Sequence, residues 1–174
     1  SENGKKVDDK RVISSVANCL NPYEKADYDK MMEVAASDDL EIIVSNTTEA
    51  GIQYDPSCKQ DDCPPSSFPA KLTQVLYHRY KAGKKGIIML ACELIDNNGK
   101  ELLKCVNQYI EQWGLEDGFK KYVNEDCTFC GSLVDRIVPG RIKDANEVAE
   151  LEQKNGYADP LTDVGEVFGV WVIE

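Results

Sequence analysis

The sequence predicts an α/β fold in which helices cover both faces of a mainly parallel sheet. Segments with strand character alternate with segments of helical periodicity along the chain. The strand segments are almost continuously apolar, as in parallel strands that are buried on both faces. Strand, helix, strand, helix in this order is typical of a sheet with crossover helices.

In the first half, residues 11–20 have strand character, residues 24–37 have helical periodicity, and residues 40–48 form an apolar strand that ends in small polar residues. A Pro- and Asp-rich loop follows. Ser66 or Ser67 can cap the next helix, which has Pro69 in its first turn.

The second half repeats the alternation, with an apolar strand at residues 85–94 and a helix from Lys100 that stops at Gly114. A short helix follows at residues 115–126, and then a strand at residues 132–138. Asp144 and Glu147 have the spacing of a capping box, and the last nine residues predict a final strand.

Composition excludes several classes of protein. The 174 residues suffice for one domain with a core. A formal charge of −11 argues against nucleic acid or anionic lipid as a partner. The longest apolar runs have the length of a strand, so the sequence predicts no membrane segment.

The seven cysteines are scattered, and several lie within apolar runs. This distribution favours reduced thiols and a cytoplasmic protein. Cys58, Cys63, Cys127 and Cys130 have a spacing that zinc sites use, so a zinc-binding structural module is the alternative to an enzyme. A redox pair is disfavoured because Cys130 leads into a strand and not into a helix.

Two segments follow the predicted parallel strands, where ligands bind in such sheets. The first is SNTTEAG (residues 45–51), whose small side chains let a ligand approach the backbone and offer hydrogen bonds. The second is CELIDNNG (residues 92–99), which can equally form a turn and a helix cap.

Asp135 and Arg136 lie next to each other in the apolar strand LVDRIV. Adjacent strand residues point to opposite faces, so the two side chains cannot simply pair with each other. One of them must then find a partner in another element or line a cleft, because an unpaired buried charge is costly. We expect Asp135 to reach the mouth of the sheet, beside the loops that follow Val44 and Leu90.

Four motifs in register, SNTTEAGI, FPAKLT, CELIDNNG and FCGSLVDRIVPG, resemble the mannitol dehydrogenase family. The resemblance runs from about residue 12 to the end of the chain. It implies an N-terminal Rossmann-type domain followed by a helical domain. The implied reaction is metal-independent hydride transfer between NAD and a sugar alcohol or sugar acid.

This chain departs from the family pattern in three places. The glycine loop for the pyrophosphate and the helical domain with a catalytic lysine are both missing. The resemblance therefore implies a partial Rossmann-type domain over residues 1–174, inactive alone and prone to self-association through its exposed sheet. Where mannitol-specific members have Asp-Asn, this chain has Glu93 and Leu94, which favours the sugar-acid branch of the family. The resemblance implies reduction of tagaturonate to altronate, and a mannitol- or fructuronate-type reductase of the same family is the alternative.

The resemblance also implies roles for individual residues. Asn46, Thr47, Thr48 and Glu49 match the segment that lies along the cofactor. Asp135 matches the signature aspartate near the catalytic centre. Asn98 and Arg136 are the implied substrate-binding residues, with a sugar acid as the substrate and NAD as the cofactor.

Overall fold

The structure is a computed structural model that describes residue 4, residue 7 and residues 11–174. Its helices are α1 (Lys25–Ala35), α2 (Phe68–Lys81), α3 (Asn98–Gln112), α4 (Asp117–Lys121), which a π-helical turn at Tyr122–Asp126 extends, and α5 (Ala145–Asn155). Its strands are β1 (Ile42–Ser45), β2 (Ile88–Ala91), β3 (Thr128–Cys130), β4 (Ser132–Asp135) and β5 (Val170–Ile173).

A three-stranded parallel sheet forms the centre of the fold and confirms the predicted class. Its strand order is β1-β2-β3, with Ile43 opposite Met89 and Met89 opposite Phe129. The sequence predicted β1 and β2, but it predicted no strand at the residues of β3. Gly131 separates β3 from β4, and β4 pairs antiparallel with β5 in a second sheet.

Helices α2 and α3 cover one face of the parallel sheet. Their apolar side chains form one core with the inward side chains of β2, and its members include Leu76, Met89, Leu102 and Val106, each 0% exposed. Helix α3 also packs on β3. This core holds the carboxyl ends of β1 and β2 side by side.

The opposite face of the parallel sheet carries exposed apolar side chains. Ile42, Val44 and Ile88 are 47%, 54% and 41% exposed, whereas Leu90, opposite Val44 in the register, is buried. This pattern is the one expected of strands that are built to be buried on both faces. The expected helical cover is therefore absent over these exposed side chains, and an exposed sheet is what the family resemblance implied for a partial domain.

Residues 11–20, which were expected to form a strand, do not form one. Apolar side chains in this run face solvent, with Val12 89% exposed. A strand needs a neighbouring edge with which to exchange hydrogen bonds, and strand-like composition alone does not supply that edge.

Local signals mark four of the helix ends. Ser67 caps α2 by accepting a hydrogen bond from the backbone N–H of Ala70, and Asp144 caps α5 by accepting from the N–H of Asn146. Gly114 and Gly156 follow the last turns of α3 and α5 with positive φ angles of 61° and 83°. Helix α3 starts two residues before the predicted Lys100.

Candidate active site

A cleft of about 640 Å³ lies beyond the carboxyl ends of β1 and β2. Its position is where parallel sheets with crossover helices bind ligands, and its volume is within the range of small-molecule sites. Its walls are formed by Asn46, Thr47, Thr48, Glu49, Ala50, Cys92, Leu94, Val134 and Arg136.

The first wall is the segment that follows β1. Within the described part of the chain, the side chains of Asn46, Thr48 and Glu49 make no hydrogen bond to protein, so they are available to a ligand. The backbone N–H of Gly51 donates to the carbonyl of Thr48 at 2.7 Å and closes this segment into a turn. Glycine fits there because a Cβ would collide with the side chain of Thr47. The structure thus brings all four predicted cofactor-binding residues to one cleft.

Glu93 joins the first wall to the end of β2. Its side chain is 2% exposed. One carboxylate oxygen accepts from the Ser45 hydroxyl at 3.0 Å, and the other accepts from the backbone N–H and hydroxyl of Thr47 at 3.1 and 2.9 Å. The sequence placed Glu93 in a strand-end motif but gave it no role. An acid directly after a buried strand is the signal that could have found it.

Asn98 is buried at the start of α3 and is 2% exposed. Its amide N–H group donates to the carbonyls of Glu93 and Ser132, and its oxygen accepts from the N–H groups of Ser132 and Gly99. The side chain therefore links the end of β2 to the start of β4. Its predicted substrate-binding role stays a prediction.

The second wall is the end of β4 and the residues after it. Val134 and Arg136 line the cleft, whereas Asp135 lies between them in the chain and is exposed. Because strand side chains alternate, Asp135 points away from the face that Val134 presents. Sequence reasoning predicted the alternation but expected the acid at the mouth of the cleft, and the structure puts the base there. The catalytic role of Asp135 stays a prediction.

Arg136 fastens the segment before β5. Its Nε donates to the carbonyls of Glu166 and Phe168 at 3.1 and 3.2 Å, and one Nη donates to the carbonyl of Val167 at 3.3 Å. The guanidinium group has five N–H donors. Within the described residues, its other Nη makes no hydrogen bond, so the group retains donors that a ligand in the cleft can use.

The cysteines do not form the alternative zinc site. Among residues 11–174, no group of three or more potential metal ligands gathers. Cys58 packs against Ala70 and Tyr109, whereas Cys127 packs in the main core. Burial raises the pKa of the Cys127 thiol, which is opposite to what a metal-binding or reactive thiolate requires.

Among residues 11–174, no helix has the length and apolar character to cross a membrane.

Comparison with known proteins identifies the family. The mannitol dehydrogenase Rossmann domain matches residues 1–174. Altronate oxidoreductases of Phocaeicola vulgatus and Bacillus subtilis are each 43% identical over 177 residues, which cover 99% of this chain. The chain spans 36% of the length of these curated relatives.

Solved structures share the fold. Mannitol 2-dehydrogenase of Pseudomonas fluorescens, in a ternary complex with NAD and D-mannitol, superposes with a TM-score of 0.69 at 20% identity, covering 86% of this chain and 32% of that one. D-sorbitol dehydrogenase in substrate-free form superposes with a TM-score of 0.66 at 23% identity, covering 86% and 33%. With the parallel sheet, the strand-end cleft and a domain match over the whole chain, this protein belongs to the mannitol dehydrogenase family.

Proposed function

We propose that this chain is part of an NAD-dependent oxidoreductase that reduces a keto sugar acid, tagaturonate, to altronate. The observation that carries the proposal is the 43% identity to altronate oxidoreductases over a chain whose strand ends form an open polar cleft. By the same proposal, tagaturonate reductase is the activity of the complete protein and not of this chain alone.

The first wall of the cleft fits part of a dinucleotide. Asn46, Thr48 and Glu49 offer amide, hydroxyl and carboxylate groups that can hydrogen-bond ribose hydroxyls. Thr47 has its hydroxyl engaged by Glu93, so it contributes mainly backbone and methyl surface. The reduced cofactor, NADH, would supply the hydride when bound. This chain's residues hold and orient the cofactor and leave the pyrophosphate to residues outside the four-residue wall.

The second wall fits an acidic substrate. Arg136 is a cation at the cleft with donors to spare, and a guanidinium group binds a carboxylate through paired N–H groups. We propose that it attracts the carboxylate of the sugar acid. Asp135, next to it in the chain, is the proposed support for the group that protonates the carbonyl oxygen. A direct contact between Asn98 and substrate would require local opening of the α3 start.

The remaining part of the reaction belongs to the complete protein. Hydride transfer to a ketone needs a general acid and donors for the developing oxyanion. In the resembled family those groups lie in a second, helical domain. We therefore expect the 174-residue chain alone to bind NADH weakly at most and to give no turnover.

The test uses the complete enzyme that contains this chain. Thr48→Glu places a second negative charge in the first wall, so it should weaken NADH binding about tenfold or more through repulsion of the cofactor phosphates. Thr128→Glu is the matched control, because Thr128 is also exposed but lies at the amino end of β3. NADH affinity is measured by fluorescence titration.

Substrate choice is measured by NADH oxidation with tagaturonate, fructuronate and fructose in parallel. The proposal expects tagaturonate to have the highest kcat/KM. A preference for fructuronate or fructose would assign the protein to another activity of the same family. Equal NADH affinity in Thr48→Glu and the unchanged enzyme would show that the cofactor does not bind in this cleft.

A further inference from the structure

We infer that Glu93 is a positioning residue for the cofactor wall, which it holds in shape from the neighbouring strand without touching the ligand. This inference rests on the proposed cofactor site. Glu93 is not among the side chains that line the 640 Å³ cleft, yet it accepts a hydrogen bond from Thr47, which does line it.

The geometry shows what Glu93 holds. Residues 46–50 leave the sheet at the end of β1, so their backbone is no longer fixed by strand pairing. The Glu93 carboxylate fixes it instead, since it accepts hydrogen bonds from the backbone N–H of Thr47 and from the hydroxyls of Ser45 and Thr47. These contacts span 46 to 48 residues of sequence.

The choice of a carboxylate follows from its surroundings. All three groups that face it are donors, and a carboxylate only accepts. A buried polar side chain is stabilising only when such partners are present. Within the described residues no cation pairs with Glu93, so hydrogen bonds from the first wall account for its burial.

Glu93 also connects the two walls. Its backbone carbonyl accepts from Asn98, and the same Asn98 amide group bonds to Ser132 at the start of β4. Movement of the Glu93 side chain therefore changes the first wall, while the second wall is held separately through Asn98. The inference predicts a local effect on residues 46–48 and a small effect on residues near Arg136.

Three variants of the complete enzyme separate positioning from general stability. Glu93→Met keeps the approximate volume and removes every acceptor. Glu93→Gln keeps an acceptor for Thr47 and can donate to the Ser45 hydroxyl. Arg79→Met is the matched control, because Arg79 is 3% exposed and bonds to three carbonyls (those of Ala35, Ser37 and Lys85) before β1 and β2, at the other end of the sheet.

Two measurements are made on each variant. Amide hydrogen exchange of residues 46–48 reports the backbone of the first wall without any cofactor. NADH affinity reports its function. We expect Glu93→Met to speed exchange at Thr47 about tenfold or more and to weaken NADH binding about tenfold, which corresponds to the loss of one or two hydrogen bonds. Glu93→Gln should stay within about threefold of the unchanged enzyme in both.

Arg79→Met should lower stability without changing exchange at Thr47 or NADH affinity. If Glu93→Met behaves like Arg79→Met, the role of Glu93 is only structural and the inference is overturned. Equal losses in Glu93→Gln and Glu93→Met would also overturn it, because hydrogen bonding would then not be the cause. If the unchanged enzyme binds no NADH, the proposed function fails, whereas the exchange measurement still decides the role of Glu93.

Discussion

Replacing Asn98 by Leu tests the bonding scheme that joins the two strand ends. The change removes four hydrogen bonds, with donor–acceptor distances of 2.8 to 3.0 Å. It leaves the N–H groups of Gly99 and Ser132 and the carbonyl of Ser132 without this partner, whereas the carbonyl of Glu93 keeps its bond from the N–H of Ile95. At about 1 kcal/mol net for each bond, the free energy of unfolding should fall by about 4 kcal/mol. That is a large share of the 5–15 kcal/mol typical of a domain.

Asn98→Asp probes the direction of these bonds. The carboxylate keeps the two bonds that Asn98 accepts but turns its second oxygen towards the carbonyls of Glu93 and Ser132. Near-identical shape should therefore still give a loss of about 2 kcal/mol or more at neutral pH, because two donated bonds become repulsive contacts.

The assay is urea unfolding followed by far-ultraviolet circular dichroism. The control is Asn107→Leu, because Asn107 also lies on α3. Its amide donates hydrogen bonds to the carbonyl of Leu103 and to the side-chain oxygen of Asn124, at a position where water can take the place of the Asn107 amide. We expect a loss of about 1 kcal/mol or less in that control. A loss in Asn98→Leu that does not exceed the control would refute the bonding scheme and favour a direct substrate role for Asn98.

Three further predictions follow from exposure and charge. Ellman's reagent should titrate Cys19 and Cys63 quickly and the buried thiols only after unfolding, because the former two are exposed. The pKa of Glu116 is lowered by hydrogen bonds from its own backbone N–H, from Tyr77 and from Lys81. Its contribution to stability is therefore present above pH 4.5 and disappears as the pH falls through the lowered pKa. The difference in Tm between the unchanged chain and Glu116→Gln should shrink on acidification below pH 4.5. The chain should self-associate through the exposed face of the sheet. Light scattering should show less association in Val44→Lys, since Val44 is 54% exposed on that face. A chain of unchanged sequence that stays monomeric at high concentration would contradict this.

The sequence alone determined the features that depend on near neighbours in the chain. Apolar runs predicted β1 and β2, and 3.6-residue periodicity predicted the helices. Ser67, Asp144, Gly114 and Gly156 marked helix ends because capping uses groups within a few residues. The small polar residues after β1 predicted one wall of the cleft, since parallel strands present their carboxyl ends at one edge.

Only the tertiary structure decided the features that depend on distant pairs. The partners of Glu93 are 46 to 48 residues away, and the antiparallel pairing of β4 with β5 joins residues that are far apart in the chain. The structure also decided that Arg136 lines the cleft while Asp135 is turned away, because the face that a strand presents depends on what packs against it. Local patterns specify which side chains share a face, and long-range packing specifies where that face points.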